Sequence, residues 1–127
     1  MRKILLFLIV PVFLLSACGQ QNIESNISEK VQDFEFTTQD NETLSLQDME
    51  GKWWIADFIF TNCTTVCLPM TSNMKKLQVK MSEEGLEADL VSFTVDPDYD
   101  SPEVLKEYAM EYDADLTNWT FLTGYDF

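Results

Sequence analysis

The residue pattern predicts an α/β fold in which a short β-hairpin leads into a parallel βαβαβ core. Three observations carry this. The run Trp53 to Phe60 is apolar and strand-like. Two segments with helical spacing follow, one behind Cys67 and one behind Pro102. They alternate with two further strand-like segments, Leu90 to Val95 and Trp119 to Leu122. Strands that alternate with helices build parallel sheets through right-handed crossovers.

The chain has 127 residues, of which 46% are hydrophobic and 13% aromatic, enough for the core of one small domain. Its first residues are of a different kind. Met1-Arg2-Lys3 is a short positive region, and Ile4 to Leu15 is almost wholly apolar. About a dozen residues are too few to span a bilayer, which takes roughly 20, so the segment reads as a signal peptide over residues 1–17. Leu15-Ser16-Ala17-Cys18 resembles a bacterial lipoprotein processing box. That predicts acylation of Cys18 and cleavage before it, leaving the mature chain lipid-anchored on the outer face of the cell membrane. Several acyl chains anchor where one is marginal, each buried methylene adding about 0.8 kcal/mol. Residues 18–32 then read as the acylated cysteine and a polar, flexible tether, with the domain proper over 33–127.

Within the domain, Asp33 to Phe36 alternates, Thr38 to Glu42 is a polar break, and Leu44 to Leu46 alternates again, the pattern of a hairpin. Gly51-Lys52 punctuates before Trp53 to Phe60. That strand is apolar on both faces, with Asp57 its one polar member, so it is expected in the middle of the sheet with helices on either side. Cys67, Met70, Met74, Leu77 and Met81 mark the buried stripe of a helix that ends near Gly85. The methionines there are core, and Pro69 is tolerated in a first turn. Val91, Phe93 and Val95 share one strand face. Asp100-Ser101-Pro102-Glu103 is a helix start with a capping side chain and an early proline. Val104, Leu105, Tyr108, Ala109 and Tyr112 form that helix's apolar face, and Thr123-Gly124 opens a loop.

Charge and cysteine usage narrow the chemistry. The formal charge is −14, and removal of Arg2 and Lys3 leaves 6 basic against 22 acidic residues. So acidic a body repels phosphate backbones, which argues against a nucleic-acid partner. The chain has no histidine, the commonest metal ligand and general base. With Cys18 assigned to lipidation, Cys63 and Cys67 remain as a pair at the carboxyl end of a strand, where open α/β sheets place their sites. Two soft thiols at a strand-to-helix turn either bind a soft metal or exchange disulfides. Residues four apart on a helix hold their Cβ atoms about 5–6 Å from each other, wider than the ~3.8 Å of a relaxed disulfide. A bridge therefore requires Cys63 to lie in the loop or the first turn to unwind, and the spacing favours a metal, Cu(I) in particular. The acidic run Asp96, Asp98, Asp100 lacks the glycine and the preceding helix of a calcium loop.

Three stretches resemble the Sco/SenC family: Asp57-Phe58-Ile59-Phe60-Thr61-Asn62-Cys63-Thr64-Thr65-Val66-Cys67, Val95 to Pro102, and Trp119 to Gly124. The resemblance covers about Asp33 to Phe127. It implies a thioredoxin-like fold, here incomplete: the hairpin and βαβαβ core without the closing antiparallel strands and last helix. It also implies copper binding through Cys63 and Cys67, with a later histidine as third ligand that this chain does not contain. The implied role is a copper chaperone for the binuclear copper site of cytochrome c oxidase subunit II. Leu68 stands where the family's proline directly follows the second cysteine. Thioredoxins carry a buried aspartate at the offset of Asp57, where it moves a proton for the second thiol. A buried Asp57 would accordingly have a raised pKa and serve as general base in a thiol-disulfide oxidoreductase. An Asp57 satisfied by backbone donors or a lysine would not. A non-functional fragment is the third reading, and a sheet open on one side predicts marginal stability and aggregation.

Overall fold

The computed structural model describes residues 29–125. The chain divides into two compact units, Met1–Val31 and Gln32–Phe127, and the regular structure among the described residues lies in the second. The segment expected to be a signal peptide, Cys18 and most of the expected tether lie outside the described residues. No helix among the described residues is long and apolar enough to cross a membrane.

Strands β1 (Glu35–Thr38) and β2 (Thr43–Ser45) form the hairpin, pairing Phe36 with Leu44. Asn41 takes the positive φ that the tight turn demands. A 3-10 turn over Leu46–Met49 leads to β3 (Trp54–Ile59), then α1 (Cys67–Glu84), β4 (Asp89–Thr94), α2 (Pro102–Glu111) and β5 (Trp119–Thr123). Gly85 ends α1 in the left-handed region, its N–H returned to the last turn. Ser101 caps α2, its hydroxyl accepting from the Val104 amide, and Pro102 occupies the first turn.

The five strands lie in the order β2-β1-β5-β4-β3, with β3, β4 and β5 parallel and β1 antiparallel to β5. Both crossovers step the same way along the sheet, so right-handedness places both helices on one face. The parallel register aligns Ile55, Asp57 and Ile59 with Leu90, Ser92 and Thr94, and these with Trp119 and Phe121. Met74 and Met81 of α1 and Leu105, Tyr108 and Ala109 of α2 pack on that face. The Thr71 and Tyr108 hydroxyls join the two helices at 2.6 Å. On the other face Met49, Val91, Phe93 and Leu122 meet Phe34, Phe36, Leu44 and Trp54. Each fully buried large side chain of these clusters contributes about 1.5–3 kcal/mol.

Two expectations are corrected. β3 is an outer strand, not the middle one, and its helices do not flank it on both sides. Phe58 is 64% exposed and Ile55 39%. β4, which contains Ser92 and Thr94, is buried from Leu90 through Thr94. An apolar run reports on the two faces of a strand and is silent about its edges, while hydroxyls can be buried once they have partners. The stripe of α1 is also turned. Thr71 and Gln78 are buried and Met70 is exposed, because Gln78 donates to the Asp115 carbonyl and Asn118, both at 2.8 Å.

Candidate metal centre

The two cysteines lie where β3 gives way to α1, at the carboxyl ends of the parallel strands. After Ile59 the chain turns tightly, the Cys63 amide donating to the Phe60 carbonyl at 3.2 Å. Cys63 stands in this loop and Cys67 is the first residue of α1. Both are free thiols, 6% and 5% exposed. The Cys67 amide, one of the unpaired donors at a helix start, points at the Cys63 sulfur from 3.4 Å. The Thr65 hydroxyl lies 3.7 Å from the same sulfur.

This geometry separates the two thiols electrostatically. The Cys67 thiol, then the Thr65 and Cys67 amides, lower the Cys63 pKa from 9.0 to about 6. Burial and the neighbouring Cys63 push Cys67 up instead. At neutral pH the pair therefore shares a single proton, held on Cys67. A sulfur anion beside a protonated thiol is suited both to receive a soft cation and to attack a disulfide.

Asp57 lies on the helix-bearing face of β3, directly across from Ser92. The Trp119 indole N–H donates to the Ser92 hydroxyl at 2.9 Å, and that hydroxyl donates to Asp57 Oδ1 at 2.6 Å. Oδ2 is buried without a hydrogen-bond partner among the described residues. Burial raises the Asp57 pKa against the lowering effect of Ser92, and the Asp57 charge contributes to raising Cys67. Among the described residues no lysine, and no backbone amide outside its own residue, satisfies the carboxylate.

The pattern reading missed two things here. Ser92 and Trp119 are 27 residues apart and meet only through β4 and β5. Asp100 is wholly buried and bonds to Thr61 and Thr94, although its position suggested a helix cap. The available signal was a set of polar residues at the same height on neighbouring strand ends. Among the described residues no group of three or more histidine, cysteine, aspartate or glutamate side chains could hold a metal ion. The donors that do face each other are the two sulfurs, and a two-sulfur set fits a soft monovalent ion.

The SCO1/SenC family model matches residues 23–126. The chain is 46% identical over 111 residues to the SCO1 protein homolog of Bacillus subtilis (strain 168), covering 87% of this chain and 58% of that protein. A SCO1/SenC family lipoprotein from Bacillus anthracis str. Ames shares 50% identity at a TM-score of 0.75, over 76% of this chain and 58% of that one. BsSco, described as a member of the Sco family of cytochrome c oxidase assembly proteins with a disulfide switch, shares 44% identity at a TM-score of 0.78, over 84% and 62%. Yeast Sco1 with copper bound shares 27% identity at a TM-score of 0.67, over 79% and 62%. The fold is thus the thioredoxin-like one of the Sco structures, and the chain spans about three fifths of the length of these relatives. The match over residues 23–126 leaves one assignment: this chain belongs to the SCO1/SenC family.

Proposed function

We propose that this chain carries the copper-handling pair of a membrane-anchored, extracytoplasmic copper chaperone, which serves the binuclear copper site of cytochrome c oxidase subunit II. The observation that carries the reading is the buried pair of free thiols, Cys63 in the loop and Cys67 at the start of α1, with the Cys67 amide 3.4 Å from the Cys63 sulfur. Cuprous ion is the cargo. The Cys63 thiolate receives it, Cys67 releases its proton, and two sulfurs hold one Cu(I). Copper-bound yeast Sco1 and the assembly role stated for BsSco support this. The lipid anchor on Cys18 is proposed from the processing box, and the Bacillus anthracis lipoprotein supports it.

The test is a titration of the reduced chain with Cu(I) against a competing chelator. One ion per chain is expected, lost in Cys63→Ser and in Cys67→Ser. Cupric ion, which prefers nitrogen and oxygen donors, is expected to bind poorly to a chain without histidine. A chain that ignores Cu(I) yet cycles readily between dithiol and disulfide would sink the copper reading.

The second reading is a thiol-disulfide oxidoreductase, favoured by one specific observation, the unpartnered Oδ2 of Asp57. In that role Asp57 takes the proton from Cys67, whose sulfur then attacks the Cys63 sulfur of a mixed disulfide, forming the Cys63–Cys67 bond and expelling the substrate's thiolate. Asp57→Asn is then expected to slow thiol exchange with little change in Cu(I) affinity. Equal exchange rates in parent and variant would remove the catalytic part assigned to Asp57.

A further inference from the structure

A buried carboxylate with no cation beside it needs a full set of donors to be tolerated. Asp100 is 0% exposed, and among the described residues the one ion pair is Lys106–Asp40, elsewhere on the surface. Its donors come from the ends of two strands. The Thr61 amide reaches Oδ1 at 3.3 Å and Oδ2 at 3.1 Å, and the Thr61 hydroxyl reaches Oδ1 at 2.5 Å. The Thr94 hydroxyl donates to Oδ2. Thr61 follows β3, Thr94 is the last residue of β4, and Asp100 stands in the loop before α2. That loop is itself closed, since the Asp100 amide donates to the Asp96 carbonyl at 2.9 Å and the Asp96 amide to the Thr94 hydroxyl at 3.0 Å.

The capping of α2 is done by Ser101, so the Asp100 side chain is left for the neighbouring loop. What it grips is the residue two before Cys63. With Thr61 fixed, the turn from the Phe60 carbonyl to the Cys63 amide is fixed too, and the Cys63 sulfur stays within 3.4 Å of the Cys67 amide.

We propose that Asp100 is a positioning residue for Cys63, holding the strand-to-helix turn through Thr61 and Thr94 so that the sulfur stays under the Cys67 amide, the first of α1. The proposal deepens the reading of Cys63 as the sulfur that receives copper or attacks a disulfide, and rests on it. Asp100 touches neither cargo nor thiol. It acts through the loop, as the groups behind a metal ligand commonly do.

The experiment compares the pH dependence of Cys63 alkylation by iodoacetamide in a Cys67→Ala background, in Asp100→Ala, Asp100→Asn and Thr61→Val, with Met81→Ala as a core control. The same four substitutions in the otherwise unaltered chain are titrated with Cu(I). Asp100→Ala and Thr61→Val are expected to move the alkylation midpoint upward from that of the background chain, toward the ordinary thiol value. Their cuprous affinity should fall by about tenfold or more. Asp100→Asn retains an acceptor for the Thr61 amide and should recover part of both. Met81→Ala should lose stability without moving the midpoint. Should Asp100→Ala fail to fold, Thr61→Val decides, because it keeps the carboxylate and deletes one donor. An unmoved midpoint in the folded variants, with only the melting temperature lowered, overturns the proposal. A parent chain blind to Cu(I) would refute the copper reading alone, with the alkylation midpoints still judging Asp100.

Discussion

Asp57 is a residue whose protonation is coupled to the fold. Its pKa is raised by burial, so the folded chain prefers the protonated acid. The stability this group contributes is present below the unfolded value near 3.8 and is lost as pH rises through the folded value. Asp57→Asn cannot ionise. Its stability relative to the parent is therefore expected to climb with pH above about 4, read from urea unfolding at a series of pH values. A flat difference would mean that Oδ2 is hydrated or paired. Cys63 has the opposite sign. Its folded pKa of about 6 lies below the ordinary 9.0, so in the reduced chain its contribution grows as pH rises between those values. The candidate residues were legible at this scale: Cys63, Cys67 and Asp57 stand out by type and spacing. Their partners were not. Ser92 lies 35 residues from Asp57 and Asp100 lies 39 from Thr61, and one-dimensional spacing holds no trace of such meetings.

At the scale of elements, the periods of two and of three to four residues placed the hairpin, three core strands and two helices within a residue or two of where they lie. They did so because each period is a local property of the backbone. Strand order is not local, and there the reading failed, with β3 expected in the middle and found outermost. The end of β5 shows how one small residue joins elements. Gly124 has φ 82°, and a Cβ there would meet Thr37 Oγ1 at 2.7 Å. Gly124→Ala would bring both backbone strain and a clash against the β1 side chain. A loss of about 1–2 kcal/mol is expected, measured by chemical denaturation. A loss within experimental error would show that Thr37 rotates away freely.

For the molecule as a whole, the outer side of β3 has no neighbouring strand among the described residues, and Ile55 and Phe58 are exposed there. Edges of this kind invite pairing with another chain. The 127-residue chain is expected to associate as its concentration rises, despite a charge of −14 that opposes contact. Sedimentation at several concentrations and salt levels tests this. Salt should strengthen the association, and Phe58→Lys should suppress it. A chain that stays monomeric at high salt would show that the edge is already protected.

The three tryptophans sit in contrasting surroundings: Trp53 is 83% exposed, Trp54 is partly buried against the second cluster, and Trp119 is wholly enclosed, its indole N–H tied through Ser92 to Asp57. Iodide in the solvent should quench Trp53, reach Trp54 in part and spare Trp119. The blue-shifted emission that resists the quencher then becomes an intrinsic optical gauge, sensitive to whatever alters the Asp57 carboxylate.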